Sequence, residues 1–280
     1  MKKQKENLMR MEKVENPVDV CDLLLGYVHN FPLPKEVRAR VNLDDLKHSD
    51  LDTNHLRLVN KPTCYFGDQT SDSTLPNGVL DVTLDQKRKK DVKSNILFSS
   101  VFTNNTTEVQ TNHLRTERRT ASSCRISLTK AVTKEGSFSL QISPPCAMIQ
   151  ANGGFRREVQ MAREREKVFE EELVWSLDTE VVVPPGYRTK ADLVIAEDEY
   201  DGKFRVETIF EGVVTIRLRD KRDGSVIYTL VVNDLSKALT TEHGFHPVPN
   251  QPGAVVFTNE GYCHCHYGIS QRVELHQEKL

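Results

Sequence analysis

The sequence predicts a mainly β protein: an elongated antiparallel sheet of long strands with a small mixed α/β part at its N-terminus. Three observations carry this prediction. From about residue 94 onward, apolar and polar residues alternate in repeated runs. The clearest is Ser137 to Ser143, where Phe138, Leu140 and Ile142 fall on one face and Ser137, Ser139, Gln141 and Ser143 on the other. Next, runs at 188–197, 203–210, 213–219 and 225–232 approach about ten residues, above the usual strand length of about 5–6. Last, the turn dipeptides Asp201-Gly202 and Asp223-Gly224 separate these runs as hairpin turns would.

The first 15 residues are charged and show no core face, as in a frayed tail or an exposed helix. Asn16-Pro17 then starts a helix, with Asn as N-cap and Pro at the first helical position. Val18, Cys21, Leu24, Leu25 and Val28 follow at near-helical spacing, and Phe31-Pro32-Leu33-Pro34 ends the run. Between 35 and 93 the signals are weak. Val37, Ala39 and Val41 alternate as a strand would, and Asn77-Gly78 is a turn dipeptide. The basic cluster from Asp85 to Asp91 lacks interleaved aromatics, so a solvated linker is favoured over a nucleic-acid or lipid-headgroup patch.

Ile96, Phe98 and Val101-Phe102 open the β-rich part, and Arg125 to Leu128 suggests another strand. Pro144-Pro145 interrupts any ladder, and Asn152-Gly153-Gly154 is a tight turn. Trp175 sits among Leu173, Val174 and Leu177, which points to core packing. Gly212 falls within a strand pattern, as at a bulge. The acidic run Glu197 to Asp201 lacks a calcium-loop register and fits a solvated hairpin end. These signals divide the chain into a weakly defined region, 1–93, and a β domain with its C-terminal strand, 94–280.

Composition narrows the function classes. A length of 280 residues suits one large or two modest domains. A net charge of −2 argues against a nucleic-acid partner and against global attraction to acidic membranes. No apolar h-region follows the charged start, and Val18 to Val28 is broken by Asp22, well short of the ~20 apolar residues of a spanning helix. The expectation is a soluble precursor, cytoplasmic or released without a classical signal peptide. Cysteines at 21, 64, 124, 146, 263 and 265 are too sparse for a disulfide-stapled scaffold, so reduced thiols are expected. Asn104-Asn105-Thr106-Thr107 offers two overlapping N-glycosylation acceptors, relevant only in the secretory path.

The most tempting chemical cluster is Gly261-Tyr262-Cys263-His264-Cys265-His266-Tyr267. On a strand, Cys263 and Cys265 share one face and His264 and His266 the other, so one tetrahedral ion cannot easily take all four. His243 and His246 are candidates to join the His pair. A plain terminal strand is favoured over a metal site, with a redox role for the Cys pair also open. The sequence contains no P-loop, no dinucleotide loop, no Gly-x-Ser-x-Gly elbow and no His-Glu-x-x-His pair. No catalytic residue, cofactor or metal is expected.

Four segments in shared order resemble the aerolysin-like pore-forming toxins, in the epsilon-toxin and mosquitocidal-toxin branch. They are Asn95–Phe98 leading into Val101–Gln110, the Ser/Thr-containing basic stretch Thr116–Ser123, Val181-Val182-Val183-Pro184-Pro185-Gly186-Tyr187-Arg188-Thr189, and Phe210-Glu211-Gly212-Val213-Val214-Thr215. The resemblance covers roughly 94–239. It implies a soluble monomer that forms a homo-oligomer on a lipid membrane, with a protein or glycan receptor, each copy refolding one segment into a hairpin of a closed β-barrel. Closure is a physical requirement, since an open sheet edge in lipid leaves backbone groups unpaired.

In that family the insertion segment precedes the valine/Pro-Pro turn, which here means 137–172. Phe138, Leu140 and Ile142 would form the lipid face of the first arm. Ala147, Met148 and Ile149 would form an apolar tip with Cys146, and Asn152, Gly153 and Gly154 the turn. An ordinary sheet face on a core is the favoured explanation of the alternation of Phe138, Leu140 and Ile142, because half-buried strands show the same pattern. The second arm, Arg156 to Glu172, departs from the pattern: eleven of its seventeen residues are charged, on both alternating faces, and its composition also suits a helix. Each Arg or Lys facing lipid at mid-membrane costs about 2–4 kcal/mol. Either a short stretch, 137–155, inserts, or the chain keeps the fold without making a pore. The alternatives to a pore-forming protein are a non-lytic module that binds a protein or glycan and, more weakly, a metal-dependent enzyme using the C-terminal His residues.

Overall fold

The computed structural model describes residues 16–67, 93–143 and 159–280. Chain order begins with β1 (Val18–Asp19), α1 (Val20–Asn30), α2 (Lys35–Arg40), β2 (Leu51–Asp52), β3 (Leu56–Asn60), β4 (Cys64–Gly67) and β5 (Lys93–Thr103). Then come β6 (Gln110–Lys130), β7 (Val132–Thr133), β8 (Leu140–Ile142), β9 (Val159–Met161), β10 (Glu166–Val183) and β11 (Tyr187–Gly212). The last strands are β12 (Val214–Arg219), β13 (Val226–Val232), β14 (Phe245–Pro247) and β15 (Val255–Lys279). The mainly β, long-stranded antiparallel architecture expected from the alternation is the one observed.

β11 is the axis of the molecule. Its 26 residues extend about 85 Å at ~3.3 Å per residue. One edge pairs antiparallel with β15 from Tyr187↔Lys279 to Phe210↔Val255. The other edge takes β5, β4 and β3 in series. Beyond β15 lie β6 and then β10, the latter paired with β6 from Glu166↔Ser127 to Val183↔Gln110. A second sheet, β13-β12-β2, and the short β8–β9 pair stand apart.

Three apolar clusters follow one another along this axis. The first packs Val20, Leu24 and Val28 of α1 against Phe210, Ile216, Leu230, Phe245 and Phe257. The second gathers Cys124, Ile126 and Leu128 of β6, Phe204 and Val206 of β11, and Cys263, Cys265 and Tyr267 of β15 under Phe138, Leu140, Ile142 and Met161. The third joins Leu114, Val181, Val183 and Ala191. Asn259 links strands inside the core. Its amide donates to the Val206 carbonyl at 3.0 Å and to Thr208 Oγ1 at 2.9 Å, and its oxygen accepts from Val132 N at 3.0 Å.

Several local expectations are corrected. The first helix begins at Val20 rather than Pro17, because Asp19 caps it, accepting from Cys21 N at 2.8 Å, while Val18 pairs with Val132 in β1–β7. The strand expected from the alternation of Val37, Ala39 and Val41 is instead α2 over Lys35–Arg40, with Arg38 N donating to the Pro34 carbonyl and Val41 N to the Val37 carbonyl. Asp201-Gly202 is no turn. The favoured two-residue hairpin turns need positive φ at one or both central residues, and neither Asp201 nor Gly202 has it. They pair with His264 and Cys263 in mid-strand, and Gly202 leaves room for Tyr200, whose hydroxyl oxygen lies 2.5 Å from where a Cβ would stand. Asp223-Gly224, by contrast, does join β12 to β13, with Gly224 at φ +73°. Gly212 marks the corner where the chain leaves β11 for β12, not a bulge. Asn104, an expected glycan acceptor, is buried and donates to the Glu108 and Val183 carbonyls.

Near that end of β12, Asp220 accepts from Arg40 Nε at 2.8 Å and from Arg222 N at 2.9 Å. The Arg222 amide, and then the Arg40 guanidinium, hold its carboxyl below the usual value of 3.8. A depressed folded pKa contributes stability present above the unfolded value and lost as pH falls through the folded one. Acidification below pH 3.8 is therefore expected to lower the urea midpoint of the wild-type protein more than that of Asp220→Asn, so that the gap between them narrows. Parallel curves across that window would remove this role.

Candidate membrane-inserting hairpin

β6 and β10 are sequential long strands paired to each other, and the chain leaves this pair after Lys130 and rejoins it at Glu166, at the same end. Local chemistry folds the segment back on itself. Glu135 and Gly136 both take positive φ, +53° and +70°, and Lys134 and Ser137 exchange backbone hydrogen bonds at 2.9 and 3.0 Å, the geometry of a tight two-residue turn. Asp19 at the start of α1 braces it, accepting from Thr133 Oγ1 at 2.9 Å and Gly136 N at 2.7 Å. The chain then enters β8, which pairs with β9 in the register Leu140↔Met161, Gln141↔Gln160 and Ile142↔Val159.

The hairpin is amphipathic. Leu140, Ile142 and Met161 are 1%, 0% and 0% exposed, and Phe138 is buried beside them. Ser139, Gln141 and Gln160 face solvent. Burying four such side chains contributes roughly 6–12 kcal/mol in gross transfer terms. Among the described residues the polar ties to the rest of the sheet are few, one of them from Lys167 Nζ of β10 to the Gln160 carbonyl at 3.3 Å. Asn60 Nδ2 donates to the Ser139 carbonyl at 2.7 Å, Ser143 N donates to Thr63 Oγ1 at 3.0 Å, and the Tyr65 hydroxyl donates to the Ser143 carbonyl. Burial pushes the Tyr65 hydroxyl pKa up, which keeps it a donor. The hairpin is therefore held chiefly by its apolar face, and among the described residues β8 and β9 pair only with each other.

Of the sequence candidates, Phe138, Leu140 and Ile142 come together on one face, with Met161 as the partner the sequence reading missed. Ala147, Met148, Ile149, Asn152, Gly153 and Gly154 lie outside the described residues. The charged arm 156–172 divides. Val159–Met161 is the second hairpin strand, whereas Glu166–Glu172 lies in β10, as strand rather than helix. Its acidic residues there meet basic partners on β6: Arg125 Nη1 to Glu166 at 3.2 Å and Arg119 Nη1 to Glu172 at 3.2 Å. Cross-strand opposite charges of this kind stabilise a solvated sheet face. Arg163, Glu164 and Arg165 stay at the root of the hairpin.

The Cys/His run lies in β15 as the strand periodicity required. His264 faces Asp201, with Nδ1 2.5 Å from Oδ1, and His266 Nε2 lies 3.5 Å from Glu197 Oε2, so the acidic run is mid-strand rather than a hairpin end. Among the described residues, no group of three or more metal-capable side chains includes His243, His246, His264 or His266. Cys263 and Cys265 point inward and meet Cys124 of β6 beneath the hairpin. Hydrogen bonds from the other two thiols hold the Cys124 pKa below the ordinary thiol value. Among the described residues, no helix is long and apolar enough to cross a membrane, which says nothing of strands.

No protein-family model matches this chain, and no curated protein matches it in sequence. Solved structures do. A non-toxic crystal protein from Bacillus thuringiensis superposes with a TM-score of 0.62 at 15% identity, over 95% of this chain and 98% of that one. The Cry23Aa1 and Cry37Aa1 binary protein complex gives 0.55 at 13% identity, over 95% and 91%. With the long β6–β10 pair, the tucked hairpin between them and this shared course of the whole chain, the protein has an aerolysin-like, mainly β fold.

Proposed function

We propose that the protein forms pores: it assembles into a homo-oligomer on a membrane, and each copy refolds residues 131–165 into one hairpin of a closed β-barrel. The activity is conformational and uses no catalytic group. The observation that carries the proposal is the amphipathic β8–β9 hairpin, tucked between two long strands that are already paired. Extended strand conformation keeps even and odd positions on opposite faces. Phe138, Leu140 and Ile142 therefore stay together towards lipid, while Ser137, Ser139, Gln141 and Ser143 stay together towards the lumen. Five of the eleven charged residues that argued against insertion, Glu166, Lys167, Glu170, Glu171 and Glu172, belong to β10, and Arg163, Glu164 and Arg165 lie at the root of the hairpin, outside the lipid-facing part.

A lumen position that is exposed in the soluble form gives a test free of folding cost. Gln141→Glu is expected to leave thermal stability within about 0.5 kcal/mol and to shift single-channel reversal potential towards cation selectivity, because lumen charges tune selectivity. Dye release from liposomes and from whole cells, with and without limited proteolysis, tests the proposal as a whole. A protein that stays monomeric on lipid and releases no dye under any of these conditions would sink it.

One observation favours a second reading. The Bacillus thuringiensis crystal protein whose whole length this chain follows is described as non-toxic. This fold retained as a non-lytic module for a protein or glycan partner predicts saturable binding by a monomer, with the hairpin seated throughout.

A further inference from the structure

The three thiols beneath the hairpin are used by neither reading. Cys124 on β6 and Cys265 on β15 are directly paired across the ladder, and Cys263 lies two residues before Cys265 on the same face. Their sulfurs form a nearly regular triangle: Cys263–Cys265 3.2 Å, Cys265–Cys124 3.2 Å and Cys124–Cys263 3.6 Å. All three are 0–1% exposed. The point equidistant from the three sulfurs lies about 1.9 Å from each, just inside the ~2.3 Å of a metal–thiolate bond. An ion at that bond length would sit about 1.2 Å above the sulfur plane, or within it once each sulfur had moved outward by about 0.4 Å.

We propose that Cys124, Cys263 and Cys265 form a three-coordinate binding site for a soft, closed-shell metal ion of the copper(I) class. The donor set selects it. Thiolates with no oxygen ligand favour soft ions over magnesium, calcium or manganese. Structural zinc takes four ligands, and among the described residues the metal-capable group here holds these three cysteines alone. His264 and His266 are turned to the opposite face of the strand by its two-residue period. The second cluster, which encloses the thiols, supplies apolar walls from Ile126, Leu140, Ile142, Phe204 and Val206, and one further soft side chain, Met161. Binding displaces thiol protons to solvent and ties β6 to β15 under the hairpin.

The test is an anaerobic titration of the reduced full-length protein with copper(I) against a competing copper(I) chelator. One ion per chain retained against the chelator is the expected result. Cys265→Ser is expected to weaken retention by about 100-fold or more, and Cys265→Ala, which leaves an apolar side chain in the core, by as much. A variant with Ser at positions 21, 64 and 146 together is expected to keep the ion. Circular dichroism confirms that each variant is folded. Retention that survives both Cys265 changes overturns the site, as does recovery of Cys124 and Cys265 as a disulfide from freshly reduced protein. Zinc held as tightly as copper(I) overturns the assignment of the metal class.

Discussion

Replacing Leu140 and Ile142 together with aspartate is expected to unseat the hairpin before any membrane contact and to abolish the proposed membrane leakage. Both side chains are at most 1% exposed and pack in the cluster that holds Cys124, Cys263 and Cys265. A carboxylate placed there loses its water without gaining a partner. It either stays charged at a cost of several kcal/mol or takes a proton with a strongly raised pKa. Two such groups outweigh the few polar ties from Asn60, Thr63 and Tyr65. The same substitutions put charge on the face proposed to meet lipid. The check is a count of thiols that react with a water-soluble reagent under native conditions, beside circular dichroism and dye release. More reactive thiols than in wild type, a retained β spectrum and no leakage are expected. Ser139→Asp, on the exposed face, should leave thiol protection unchanged. Wild-type protection and wild-type leakage in the double variant would remove the hairpin from the proposed mechanism.

The largest stability loss is expected at Gly212. Its φ of +112° lies beyond the left-handed helical region that Asn or Asp tolerate, in backbone space open essentially to glycine. A Cβ there would stand 2.0 Å from the His55 carbonyl oxygen, which is backbone and cannot swing aside. Gly212→Ala should therefore cost about 4 kcal/mol or more, in the range reserved for disrupted special positions. Gly224 provides the contrast. Its φ is +73°, and no atom lies within 4 Å of where a Cβ would stand, so Gly224→Ala should cost only about 1–2 kcal/mol. Urea midpoints of the two variants measure the difference. Equal losses would mean that the β11–β12 corner adjusts freely.

What was legible in the sequence was whatever depends on near neighbours. The alternation at Phe138, Leu140 and Ile142 is a two-residue period within one strand, and it placed three buried side chains on one face. The Pro-Pro-Gly break after Val183 and the Asp223-Gly224 turn were equally local. Register was not legible. Nothing near Leu140 announces that Met161 will stand opposite it. Cys124 meets Cys263 across 139 residues of chain. The Asp201-Gly202 dipeptide misled because a turn signal weighs only its own two residues, whereas β11 is paired there on both edges. The charged run before Trp175 misled for a related reason: its partners are arginines on β6, some 40 to 50 residues earlier.

The position of β15 has a consequence for how the chain acquires its structure. This strand lies between β11 and β6 in the sheet, yet it follows every other described strand in sequence. During synthesis, β11 and the β6–β10 pair leave the ribosome with open edges that only residues 255–279 can join. At about 5–20 residues per second, the stretch from Gly212 to Lys279 keeps the β11 edge waiting for several seconds. Unpaired strand edges in that interval are sites for pairing with other chains. Folding of the long sheet thus waits until β15 has been made, and yield in a cell should depend on chaperone capacity more steeply than the stability of the finished protein suggests.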